Sequence, residues 1–179
     1  MLLRPGATLE AVASQPADTV SLYLGYIAPL AAVGPLCGAV GLIVFGGGIA
    51  GLHMRMSPWP TLGLALADYA FALAGVYLLS LAIWALAPVF GARANRLQAL
   101  KLVAYASTAM WLAGVFSLYP ALGLPLMVLG ALYSLYALYL GLGRVMAAPA
   151  ERTLSYFAAV LVVALVLGVL LRLARGRLA

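Results

Sequence analysis

Residues Leu102 to Gly143 read LVAYASTAMWLAGVFSLYPALGLPLMVLGALYSLYALYLGLG, and not one of them is charged. Lys101 and Arg144 bound the run. As a single helix it would reach roughly 63 Å at 1.5 Å per residue, about twice the hydrocarbon thickness of a bilayer. Tyr119-Pro120-Ala121-Leu122-Gly123 offers a turn near its middle, with Pro125 just beyond. Pro120 disfavours helical geometry at Tyr119 and ends the first helix there. The run is therefore read as two membrane-spanning helices folded back on each other.

The rest of the chain agrees. It has 179 residues, of which 66% are hydrophobic and 8% charged, and its mean hydropathy is +1.13. Soluble domains carry about 25% charged residues. The composition predicts an all-α fold: a polytopic transmembrane helix bundle of about five spans, one membrane domain over 1–179. The spans fall at about 20–45, 61–86, 102–118, 122–143 and 154–171. Residues 1–19 form an N-terminal segment before them. Thr8 can cap a short helix there and Pro16 can stop it. Leu9, Val12 and Ala13 share one face, which predicts an interfacial amphipathic helix, against the plainer reading of a helix packed on the bundle. Arg4, Glu10 and Asp18 precede the first apolar run, so no cleaved leader is expected.

Charge sets the orientation. Five spans place Arg4, Arg93, Arg96, Lys101, Arg144 and Arg152 on one side and Arg55, Arg172, Arg175 and Arg177 on the other. Six against four predicts a cytoplasmic N-terminus by the positive-inside rule, although the basic tail opposes it. The net charge of +6 is thus a matter of topology, not of nucleic-acid binding. Nine of the ten basic residues are Arg, a bias of GC-rich genomes that suggests a bacterial origin and so a cytoplasmic (inner) membrane.

Few residues carry chemistry. Asp68 is the one acidic residue inside a predicted span, and such a residue is a functional candidate by default. His53 and Arg55, in the preceding loop, are its candidate partners. Tyr105, Ser107 and Thr108 in the third span and Tyr133 and Tyr136 in the fourth complete a candidate intramembrane polar site. Core packing is the commoner fate of such a tyrosine face. The loop with Arg93, Arg96 and Lys101 is a candidate surface for acidic headgroups or a partner protein, beyond its role as an anchor. Gly46 to Gly51 has the letters of a dinucleotide-binding loop, but spans flank it where a βαβ unit is required. One His, one Cys and no paired carboxylates leave no catalytic or metal-binding set. No enzyme activity and no cofactor are expected.

Several stretches together resemble a known family. They are TLEAVASQPADTVSLYLGYIAPLAA (Thr8 to Ala32), LAPVFG (Leu86 to Gly91), ALKLVAYAST (Ala99 to Thr108), WLAGVFSLYPALG (Trp111 to Gly123) and LYSLYALYLGLG (Leu132 to Gly143). They are similar to the bacterial branch of the Yip family, the Ypt/Rab-interacting membrane proteins. The resemblance implies five spans, a cytoplasmic N-terminus and no catalysis. Its eukaryotic members are tied to Rab GTPases and vesicle traffic. That role does not carry over, because only about 19 residues precede the first span, and the acidic motif of those members is unmatched at Tyr26-Ile27-Ala28-Pro29-Leu30. Gly143 stands where bacterial relatives often have proline. The expected function is a non-catalytic membrane-organising or adaptor protein whose partners are the bilayer and other membrane proteins or a second copy. The alternative is a small oligomeric permease or lipid carrier.

Overall fold

The computed structural model describes residues 5–14, 18–46 and 57–176. Among them every element is helical and none is a strand. A short helix α1 (Pro5–Ser14) precedes the bundle. The first span runs Thr19–Val44 through α2 (Thr19–Leu22), a wide turn over Tyr23–Ile27, and α3 (Ala28–Val44). Helix α4 (Pro58–Leu86) continues in a tight turn to Phe90. The third span is α5 (Arg96–Ala106), α6 (Thr108–Ala113) and a tight turn over Gly114–Leu118. Helices α7 (Pro120–Arg144) and α8 (Ala150–Gly176) complete five segments long and apolar enough to cross a membrane.

The irregular places have local causes. The wide turn at Tyr23–Ile27 lies just before Pro29, whose ring cannot follow a regular turn and whose nitrogen carries no hydrogen. Opening the turn aims phenols at neighbours. Tyr23 donates to the Leu73 carbonyl at 2.9 Å, and Tyr26 meets the Thr108 hydroxyl at 2.7 Å. The third span breaks at Ser107, between α5 and α6. The Met110 amide beyond the break donates to Ser134 Oγ of α7 at 3.1 Å. A backbone donor freed in hydrocarbon needs such a partner. The predicted turn at Tyr119-Pro120 is present, and α7 begins at Pro120.

Two glycines let the first and third spans approach closely. A Cβ on Gly114 would lie 2.7 Å from the Gly34 Cα. Small residues at such crossings let helix backbones meet where hydrocarbon supplies no hydrophobic drive. The core itself gathers around the third span. Leu102, Ala104 and Val103 are 0–1% exposed, and Tyr156 of α8 is fully buried. Tyr156 stacks on Phe90 at 5.0 Å and donates to the Ile83 carbonyl. By contrast α8 faces outward over most of its length, with Val162, Leu165 and Val169 about 60% exposed, as a lipid-facing helix should be.

Helix α1 packs against α5 and α7. Its expected apolar face exists, but it meets protein: Leu9 is 0% and Val12 5% exposed. Thr8 lies inside this helix, not at its start. Helix α5 begins at Asn95, whose Oδ1 accepts from the Leu97 and Gln98 amides at 3.0 and 3.2 Å. That cap starts the third span six residues earlier than the hydropathy boundary at Leu102.

Candidate functional site

The sequence-derived candidates do not converge on one site. They divide between the two ends of the bundle and its middle. At the end where α4 begins and α8 finishes, Asp68 Oδ1 lies 2.9 Å from Arg175 Nε. Both side chains are partly accessible, at 37% and 40%. His53, Arg55 and Arg177 lie outside the described residues. Among the described residues the counter-charge of Asp68 is therefore an arginine of the tail, 107 positions away in sequence. The run Thr153 to Leu171 is uncharged and spans roughly 28 Å as a helix, which places Arg172 and Arg175 at headgroup level. An arginine there can reach along the helix toward the interface.

In the middle, Tyr105 stacks on Tyr26 with ring centroids 4.5 Å apart, and Tyr26 shares a hydrogen bond with Thr108. Thr108 also donates to the Ala104 carbonyl of its own helix. Ser107 is the break itself. Tyr105 and Thr108 thus hold the third span to Tyr26 of the first. Tyr133 and Tyr136 meet edge to face at 6.2 Å, and Tyr136 is 53% exposed. Its ring therefore faces outward instead of meeting polar atoms of another helix.

The opposite end gathers α1, the turn after α4 and the loop between α7 and α8. The Arg93 amide donates to the Met146 carbonyl at 2.8 Å and joins the two loops. Gly91 holds a left-handed φ of 71° at the first bend, which costs glycine little. Arg93 is exposed. Arg96 lies over the Trp84 ring at 4.1 Å, a cation–π arrangement. Lys101 departs from its expected place on a solvated loop. It is 2% exposed, and its Nζ donates to the Val12 carbonyl at 3.1 Å. The reason is the early start of α5, which carries Lys101 more than a turn into the helix and turns it toward α1. Gln98 Nε2 donates to the Ala13 carbonyl at 2.9 Å beside it. The last carbonyls of a helix lack partners in their own turn and carry partial negative charge. Two side chains of α5 thus cap the C-terminal end of α1, and Arg144 Nη1 approaches Glu10 at 3.6 Å on its flank.

A family model described as the Yip1 domain matches residues 1–171. The chain belongs to the Yip1 domain family. Its curated relatives include the inner membrane protein YohC of Escherichia coli strain K12 and the same-named protein of E. coli O6:H1 strain CFT073. Each is 30% identical over 155 residues, covering 84% of this chain and 80% of the relative. No solved structure matches significantly. Membership over nearly the whole length agrees with the resemblance carried by the five stretches quoted above.

The ion pair at the tail end has a measurable expectation. With both groups more than a third exposed, solvent screens the pair, so a coupling of roughly 0.2–1 kcal/mol is expected. Asp68→Asn and Arg175→Gln should each lower the unfolding temperature in detergent. The double variant should lose less than the sum of the two. Strictly additive losses would show that the two side chains do not interact.

Proposed function

We propose that this chain is a non-catalytic organiser or adaptor of a bacterial inner membrane, with its N-terminus in the cytoplasm. It would act through the end face built from α1, the Gly91–Asn95 bend and the Val145–Pro149 loop. The observation that carries the reading is the clamped α1. Buried Lys101, together with Gln98, holds its terminal carbonyls, so the helix adds a fixed surface to a basic end of the bundle. Arg93, Arg96 and Arg152 are exposed at the same end. A rigid surface of that kind lowers the ordering cost of binding. The inner-membrane assignment follows the name of the YohC relatives. The cytoplasmic assignment follows the excess of basic residues on this side. The partner would be another membrane protein or a second copy, held beside the lipid bilayer.

Photo-crosslinking in native membranes tests this. Probes go at Glu10 and Arg93, both exposed, with a control at Leu165 on the lipid-facing side of α8. The expected result is a discrete protein adduct at Glu10 and Arg93 but not at Leu165, lost when Arg96 and Arg152 are changed to Glu. Lipid adducts alone at all three positions would end the adaptor reading.

A further inference from the structure

A cavity of about 390 Å³ lies between α3, α4 and α6, with Asp68 and Arg175 among its walls. We propose that it binds one phospholipid with a zwitterionic headgroup that joins a primary ammonium to a phosphate, the acyl chain lying in the cavity and the headgroup on the Asp68–Arg175 pair. This goes beyond the adaptor reading and concerns the opposite end of the molecule.

Four observations support this occupant. The volume falls within the roughly 300–1,000 Å³ of small-molecule sites. The walls are mostly apolar, with Ala31, Gly34, Ala72 and Met127 among them, so the interior suits a hydrocarbon chain and not a polar solute. Met110, a wall residue in the third span, is 38% exposed, which points to a mouth at membrane depth. Lipid can therefore enter sideways without crossing protein. Finally, the pair combines both signs of charge 2.9 Å apart at the level where headgroups lie. Arg175 can take a phosphate oxygen, as guanidinium groups do well. Asp68 can accept a hydrogen bond from an ammonium. The same carboxylate repels a headgroup that brings only a phosphate. The selectivity thus opposes the general attraction of a chain of net charge +6 for anionic lipid, which makes the proposal sharp.

Trp111 lines the cavity and is 9% exposed, so it can report on the occupant. The experiment uses the full chain with Trp59→Phe and Trp84→Phe, reconstituted in phosphatidylcholine vesicles. The vesicles are doped with phosphatidylethanolamine or phosphatidylglycerol carrying a dibrominated acyl chain, which quenches tryptophan on contact. At equal mole fraction, brominated phosphatidylethanolamine should quench Trp111 at least about twofold more strongly. Asp68→Asn should abolish the preference. Gly38→Leu, whose Cβ has ordinary contact distance to Ser117 Oγ at 3.5 Å, should fill the cavity and remove the quenching by both lipids. Equal quenching by the two headgroups, no quenching by either, a preference that survives Asp68→Asn, or quenching that survives Gly38→Leu would each overturn the proposal.

Discussion

Gly114→Ala lowers the unfolding temperature by several degrees, whereas Gly34→Ala leaves it unchanged within about a degree. The two glycines face each other, yet the geometry is not symmetric. A Cβ on Gly114 would stand 2.7 Å from the Gly34 Cα and 3.1 Å from its nitrogen. Both are backbone atoms, which cannot move aside as a flexible side chain can. A Cβ on Gly34 would stand 3.8 Å from the Gly114 Cα, an ordinary contact. Gly114 has a helical φ of −57°, so alanine suffers no backbone strain there and the whole effect is steric. Overpacking of this kind costs about 1–3 kcal/mol. At Gly34 the better helix propensity of alanine, worth up to about 1 kcal/mol in a helix interior, pushes the other way. Melting curves in one detergent decide the matter. Equal losses at the two positions would mean that the first and third spans do not cross as described.

The second large effect is at Lys101. Lys101→Met keeps the length and apolar stem of the side chain but removes the donor to the Val12 carbonyl. A hydrogen bond to a charged group contributes about 1.5–3 kcal/mol. If that contribution holds α1 in place, its loss raises the population of undocked helix by roughly ten- to a hundredfold. Leu9→Cys in a Cys37→Ser background reads this directly, since position 9 is fully buried when α1 is docked. Its maleimide labelling should accelerate at least tenfold in Lys101→Met, while an exposed control cysteine at Ala11 should not change. An unchanged rate at position 9 would show that packing alone docks the helix.

These two sites show what the sequence makes legible. The absence of charge from Leu102 to Gly143, and the turn at Pro120, were enough to count the spans and fold them back. Only half of the Gly34–Gly114 crossing is legible: Gly34 and Gly38 have the G-x-x-x-G spacing that permits close helix contact, a weak signal, and nothing marks Gly114. Glycine is common in membrane helices, and a close pair is defined by two chains of backbone, not by spacing along one. The early start of α5 did have a signal, the Asn95 cap followed by a helical run, but hydropathy outweighed it. Hydropathy alone consequently places Lys101 in a loop. The break at Ser107 depends on Ser134 of another helix and has no local mark. Asp68 was marked by its charge, but Arg175 was read only as part of a basic tail. Parity would have paired them: with five spans, the start of the second and the end of the fifth lie on the same side. The grouping of α1 with α5 and α7 depends on carbonyl capping between elements, which no amphipathic pattern reveals. The apolar face of α1 was correctly drawn from Leu9, Val12 and Ala13. What it packs against was not in the pattern.

The basic end carrying α1 is proposed to be a cytoplasmic, partner-binding face. The most direct measurement is side-specific labelling of Ala94→Cys, an exposed position on that face, in a Cys37→Ser background. A membrane-impermeant maleimide is applied to intact spheroplasts and to permeabilised ones. Labelling is expected only after permeabilisation. Full labelling in intact spheroplasts would put α1 and the Arg93 bend outside the cytoplasm, and the account would be wrong.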